Sequence, residues 1–291
     1  MIGAVASLDW RSAARSPRVV VGAIIVLAVF GCALFAPWLA PHDPEEQNLI
    51  NSLLPPFWAD EGNADYLLGS DSLGRCVLSR LLYGARVAAY VAVTAAFGAM
   101  LLGGVLAHIA GYFGGRIDWL ISRAVEVWMS FPPVVLSLIL MVGLGVGVNN
   151  VVLAIVLVDW TRFCRVLRSE VLVVMQRDYI SAARLVGFTH PQIILRELLP
   201  ATAPLLLTLL SLEMGIAVVA ETILSFVGMS VEASVPAWGV MIADSRNTMY
   251  QAEWNLVLPI VAVFVAVLGF NLLGDGLRRK LDPRLAHRAG G

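Results

Sequence analysis

Lysine is almost missing from this chain: of 20 basic residues only Lys280 is one, and Leu281 follows it. A phosphate-cradling P-loop needs Gly-Lys followed by Ser or Thr, so that route to ATP is closed. Cysteine is scarce and odd in number (Cys32, Cys76, Cys164), and the four histidines (His42, His108, His190, His287) are dispersed. None of these falls at a zinc-ligand spacing, so no metal site is expected. Charge of either sign is thin, 14% against about a quarter in soluble domains. A net charge of -1 offers no electrostatic footprint for nucleic acid. No paired nucleophile and base suggests an intramembrane enzyme.

What the chain has is fat: 59% of it is hydrophobic, and the surplus comes in blocks. About twenty apolar residues cross a bilayer core. Runs at 19–36, 87–107 and 127–148 meet that length, the third starting near Ile117 and carrying Arg123 and Glu126. A fourth, 149–172, is weakened by Asp159, Arg162 and Arg165. A fifth, 201–231, contains Glu213 and Glu221, and a sixth, 255–273, contains Pro259. Cys32 follows the first run, but Phe30 two residues earlier suits a lipoprotein cleavage site poorly, so that run reads as an uncleaved span. Arginine placement sets the orientation. All the basic residues except Arg75, Arg80, Arg86 and Arg246 fall in the two tails, the turn after span two, or the connector after span four. The expectation is an all-α, multi-pass membrane protein, with six transmembrane helices and both ends cytoplasmic. Its tails would be 1–18 and 277–291. An extracytoplasmic segment at 37–85 would precede a five-helix core at 86–276 with a cytoplasmic connector at 166–200.

The connector contains ISAARLVGFTHPQIILRELLP, residues 180–200. Gly187 sits where a helix from about Arg168 should stop, since glycine takes the left-handed conformation common there. Thr189 and Gln192 match a capping box, Pro191 fits a first turn, and Pro200 should break the short helix before span five. Such a helix lies across the membrane face and presents Ala182, Ala183, Leu185 and Val186. By periodicity alone it could simply rest on lipid.

The segment resembles the cytoplasmic coupling motif of ABC importer permeases, matching at Ala182, Ala183, Gly187, Leu199 and Pro200, with Ser181 where glutamate is usual. LLGSDSLGRCVLSRLLYGARVA (67–88) resembles the signature of the dipeptide/oligopeptide/nickel permease group, C-type subunit. The matching positions are Gly69, Asp71, Leu73, Gly74, Arg75, Ser79, Arg80, Gly84 and Arg86, with Cys76 where aspartate is common. ETILSFVGMS (221–230), PAWGVMI (236–242) and LLGDGLRRKLDPR (272–284) are similar to that group as well. The resemblance implies a type I importer permease fold and half of a translocation pathway for di- or oligopeptides. Nickel, metallophore or opine complexes are the alternative cargo, and a stand-alone secondary transporter is the rival of another class. It also implies a homologous B-type permease, two ATP-binding subunits that carry ATP and magnesium, and an extracytoplasmic solute-binding protein. No cofactor would be held here, and chemistry would be left to the ATPases.

On that reading Ser181, Ala182, Ala183, Arg184, Gly187, Leu199 and Pro200 form the joint to the ATPases. Intramembrane acids are expensive and usually paired or functional. Glu213 and Glu221, two turns apart, are therefore candidates to line the pathway. Asp159 with Arg162, and Glu126 with Arg123, read as local ion pairs, and His108 as merely tolerated at an interface. Trp38, Trp58, Trp238 and Trp254 read as interfacial anchors, with 37–85 and 229–254 as a docking face for the binding protein.

Overall fold

A computed structural model describes residues 16–232 and 234–281, the last three of them by backbone alone. Arg11 and Arg15, and Arg284 and Arg288 with the end of the 272–284 motif, lie outside the described residues. Within them the chain is helical: α1 (Pro17–Leu39), α2 (Val77–Phe113), α3 (Gly115–Met129), α4 (Pro133–Leu144), α5 (Val148–Met175) and α6 (Asp178–Leu185). Helix α7 (His190–Phe226) contains a π turn at Ile194–Leu198, and α8 (Trp238–Ser245) and α9 (Trp254–Leu281) follow.

Four helices, α1, α2, α7 and α9, are long and apolar enough to cross a membrane, and the bent pair α3–α4 would make a fifth span. Helix α5 is long enough, at 28 residues, but is diluted by its charges. The bend between α3 and α4 is 90° and corrects the expected unbroken third span. Its cause is the pair Pro132-Pro133, because a residue before proline is pushed out of the helical region. Helix α1 also departs from expectation by running through Pro37 and stopping at Ala40, whose ψ of 121° is extended ahead of Pro41.

The second span begins ten residues earlier than expected, at Val77, so Ser79, Arg80, Gly84 and Arg86 belong to a helix rather than to the external segment. That stretch follows a proline- and acid-rich segment and reads as part of it, yet Arg80 is buried and stands 3.8 Å from Asp71. The buried face of α2 is largely alanine and glycine, from Ala85 to Gly111. Small residues let backbones approach where lipid supplies no hydrophobic drive. Thus α2 lies along α5 for most of its length, and a Cβ on Gly103 would stand 2.2 Å from the Trp160 carbonyl oxygen. Helix α9 packs between α1 and α7.

Candidate functional site

The connector divides differently from the expectation. Helix α5 ends at Met175, and the separate short helix α6 stops at Gly187, whose φ is +91°. Its last turn closes through Val186 N–H to Ala182 O (3.0 Å) and Phe188 N–H to Ala183 O (3.1 Å). Thr189 then caps α7, its N–H donating to Gln192 Oε1 at 2.8 Å. Pro200 does not break the helix. The π turn just before it widens the backbone, which relieves the clash a proline ring makes with the preceding turn. Buried Ile180, Ile193 and Leu198 fasten the segment to Tyr112, Val171 and Val174 at the ends of α2 and α5. Tyr112 Oη lies 2.6 Å from His190 Nδ1, and the Arg184 guanidinium stands 5.9 Å from the Tyr112 ring centre. Burial, with Glu197 nearby, raises the Tyr179 phenol, which therefore stays neutral.

The outer face of this anchored segment is bare. Ser181, Ala182, Arg184 and Gly187 are exposed, Leu185 is 88% and Val186 77% exposed, and Leu199 also faces out. Among the described residues, no atom beyond its own chain neighbours lies within 4 Å of where a Gly187 Cβ would stand. Two apolar side chains and a bend are thus held up by a buried root.

The 67–88 signature folds into a knot. Asp71 Oδ1 accepts from Leu73 N–H and Arg75 N–H (both 2.9 Å), and Oδ2 from Arg75 Nε at 2.6 Å. Arg75 Nη2 reaches Asp244 Oδ2 on α8 at 2.9 Å. Arg80, 1% exposed, stands 3.8 Å from both Asp71 and Asp244. Gly69 and Gly74 take φ of +78° and +72°, and side chains there would run into the Leu54 and Asn48 carbonyls. Ser79 Oγ receives the His42 N–H at 3.1 Å. Trp238 lies against Gly84 and donates Nε1–H to Leu81 O at 3.0 Å, so it is a buried packing residue and not an interfacial anchor. Trp254 is half-buried, while Trp38 and Trp58 are exposed. Arg86 sits over Tyr83 at 5.5 Å. The signature residues therefore tie the 41–76 segment to α2 and α8.

Both candidate acids of α7 are buried, in different company. Glu221 Oε1 accepts from Ser225 and from Ser230 (3.2 Å), which locks the end of α7 to the following loop. Glu213 Oε2 is 3.4 Å from Arg162 Nη1, nearer than the 4.0 Å between Arg162 and Asp159. The expected local pair on α5 is thus a three-residue cluster that reaches across to α7. It borders a cavity of about 220 Å³ between α4, α5, α7 and α9, lined by Ser137, Asp159, Arg162, Val219 and Asn271 among others. Sequence spacing could not show the link, because Asp159 and Glu213 are on different helices. Arg123 and Glu126 do pair, at 2.7 Å. Arg168 pairs with Asp118, which had not been singled out. His108 is more than tolerated: buried, it contacts Gly104 O at 2.7 Å and Thr202 Oγ1 at 3.0 Å, joining α2 to α7.

Comparison with known proteins supplies the frame for these sites. The chain is 35% identical over 280 residues to a di/tripeptide transport system permease protein of Pseudomonas aeruginosa, covering 96% of this chain and 92% of that one. A dipeptide transport system permease protein of Bacillus subtilis is 35% identical over 95% of this chain and 85% of its own. A glutathione transport system permease protein of Escherichia coli is 35% identical over 95% and 89%. Residues 8–56 match the N-terminal TM domain of oligopeptide transport permease C. Residues 81–287 match the binding-protein-dependent transport system inner membrane component family, and the chain belongs to that family.

Proposed function

We propose that this inner-membrane permease forms one half of the pathway of an ATP-driven importer for di- or oligopeptides. The observation that carries the reading is the connector: an exposed apolar knob, Leu185 and Val186, on a root buried at Ile180 and Ile193. A rigid root with a bare tip transmits a push, whereas a helix resting on lipid needs no root. ATP and magnesium belong to two separate ATP-binding subunits, which grip residues 181–187. Movement of α6 then reaches α2 and α5 through Ile180, Tyr112 and His190, and α7 through the capping turn. A homologous B-type permease supplies the other half, and an extracytoplasmic binding protein delivers the solute. Six spans, with α5 counted and α3–α4 taken as one, would put both ends on the same side, and the arginine distribution favours the cytoplasm for it. The peptide cargo rests on the relatives, di/tripeptide, dipeptide and glutathione permeases similar to this chain over nearly its whole length.

The test is affinity isolation of the tagged chain in mild detergent, followed by uptake in proteoliposomes. Recovery of a second permease and P-loop ATPases, with uptake of labelled dialanine that needs internal ATP and the binding protein, is expected. Recovery of the chain alone, with uptake independent of ATP, would restore the secondary-transporter reading.

A further inference from the structure

Charge bookkeeping singles out the cluster at the mouth of the α4–α5–α7–α9 cavity. Asp159 is 8% and Glu213 2% exposed by side chain, and the only cation paired with either among the described residues is Arg162. Glu213 Oε1 meets no donor among the described residues. Two acids therefore share one arginine, and they do so where uncompensated charge is costly. Arg162 leans toward Glu213, which leaves Asp159, a lining residue, with one long contact at 4.0 Å. The remaining walls are apolar (Val134, Val158, Ile216, Val219, Ile223), with Ser137 and Asn271 as neutral polar groups.

We propose that this cavity is a subsite for the ammonium end of a solute, with Asp159 as the direct contact and Glu213 positioning Arg162 behind it. The inference rests on the importer reading and deepens it by naming what the permease itself recognises. A cationic head supplies the missing positive charge beside Asp159, and Ser137 and Asn271 can take its remaining donors through their oxygens. The cavity, about 220 Å³, falls short of the roughly 300–1,000 Å³ of sites that enclose whole drug-sized ligands. It suits one terminal residue with its amine rather than a complete peptide. The amino terminus of a short peptide, deprived of water in an apolar cavity, is such a head.

Saturation-transfer NMR on the isolated permease complex without binding protein tests this directly. Millimolar dialanine should give a signal from its amino-terminal methyl, and N-acetyl-dialanine should not. Asp159→Asn and Glu213→Gln should each lower the dialanine signal by about tenfold, the effect of about 1.4 kcal/mol. Equal signals from the two solutes, or none from dialanine, would overturn the subsite, and this comparison needs no variant to fold. The importer reading stands or falls separately on ATP-dependent uptake by the wild-type complex.

Discussion

Gly84 carries only hydrogen against the Trp238 indole, and a Cβ there would come within 2.6 Å of Trp238 Cδ1. Because Trp238 is fixed by its bond to Leu81 O, it cannot step aside. Gly84→Val should therefore cost about 1–3 kcal/mol by overpacking. Thermal unfolding of the purified complex reads this as a lowered midpoint, and an unchanged midpoint would mean that Trp238 yields. Asp71 stands at the centre of the signature knot, holding Arg75 and lying near Arg80. Removing one partner of a buried pair strands the other, at about 3–5 kcal/mol. Asp71→Ala should accordingly release the 41–76 segment, read as faster protease cleavage near Trp58, while Asp43→Ala on the exposed stretch should not. Sequence pattern marked these positions, but Gly84 is explained by Trp238, and the arginines that Asp71 holds are completed by Asp244, neighbours distant in the chain that no spacing rule connects.

At the scale of elements, α6 and the Gly187 turn are the most informative. The turn demands a positive φ, and a side chain there costs roughly 1–2 kcal/mol of backbone strain while touching nothing within the chain. Gly187→Leu should leave membrane insertion intact, since the site is open, yet lower ATP-driven uptake by about tenfold or more. Leu185→Glu should act without any backbone effect, by placing charge on the apolar knob. Loss of co-isolated ATPase from the Leu185 variant is expected, and full recovery with normal uptake would remove the knob from the coupling path. The capping box and the Gly187 stop follow from local chemistry and were legible, whereas the break after Met175 that separates α6 from α5 was not. The merging of α7 across Pro200 was not, because the π turn that admits proline is not written in propensity. The early start of α2 was hidden for a similar reason: Arg80 looks solvated until Asp71 and Asp244 are found beside it.

Across the whole molecule, α1, α3, α4 and α9 expose apolar faces, which on the proposed reading lipid and a second permease cover. The six-span arrangement makes a sided prediction. A cysteine at Leu185 should react with an impermeant maleimide only from the cytoplasmic face, and one at Trp58 only from the outside. Labelling of both from one face would break the topology. Ile50 and Trp58 are 94% and 61% exposed, and on the proposed topology we place the contact with the binding protein there. Replacing both with aspartate should weaken its stimulation of ATPase activity and leave the knot below untouched.

Sequence by itself determined that this chain lives in a bilayer, that it cannot carry a P-loop, and that residues 180–200 stand apart from the spans. Those properties depend on composition, on runs about as long as a bilayer is thick, and on turns closed by residues a few positions apart. Only the tertiary structure decided which charges are spent and which are left over. Glu221 is taken by two serines, Asp71 by two arginines, and Asp159 and Glu213 share one arginine beside an open cavity. The physical reason is that electrostatic satisfaction is a property of distance in space: Glu213 meets Arg162 only because α5 and α7 pack together, and Glu221 meets Ser230 only because the loop after α7 folds back on it.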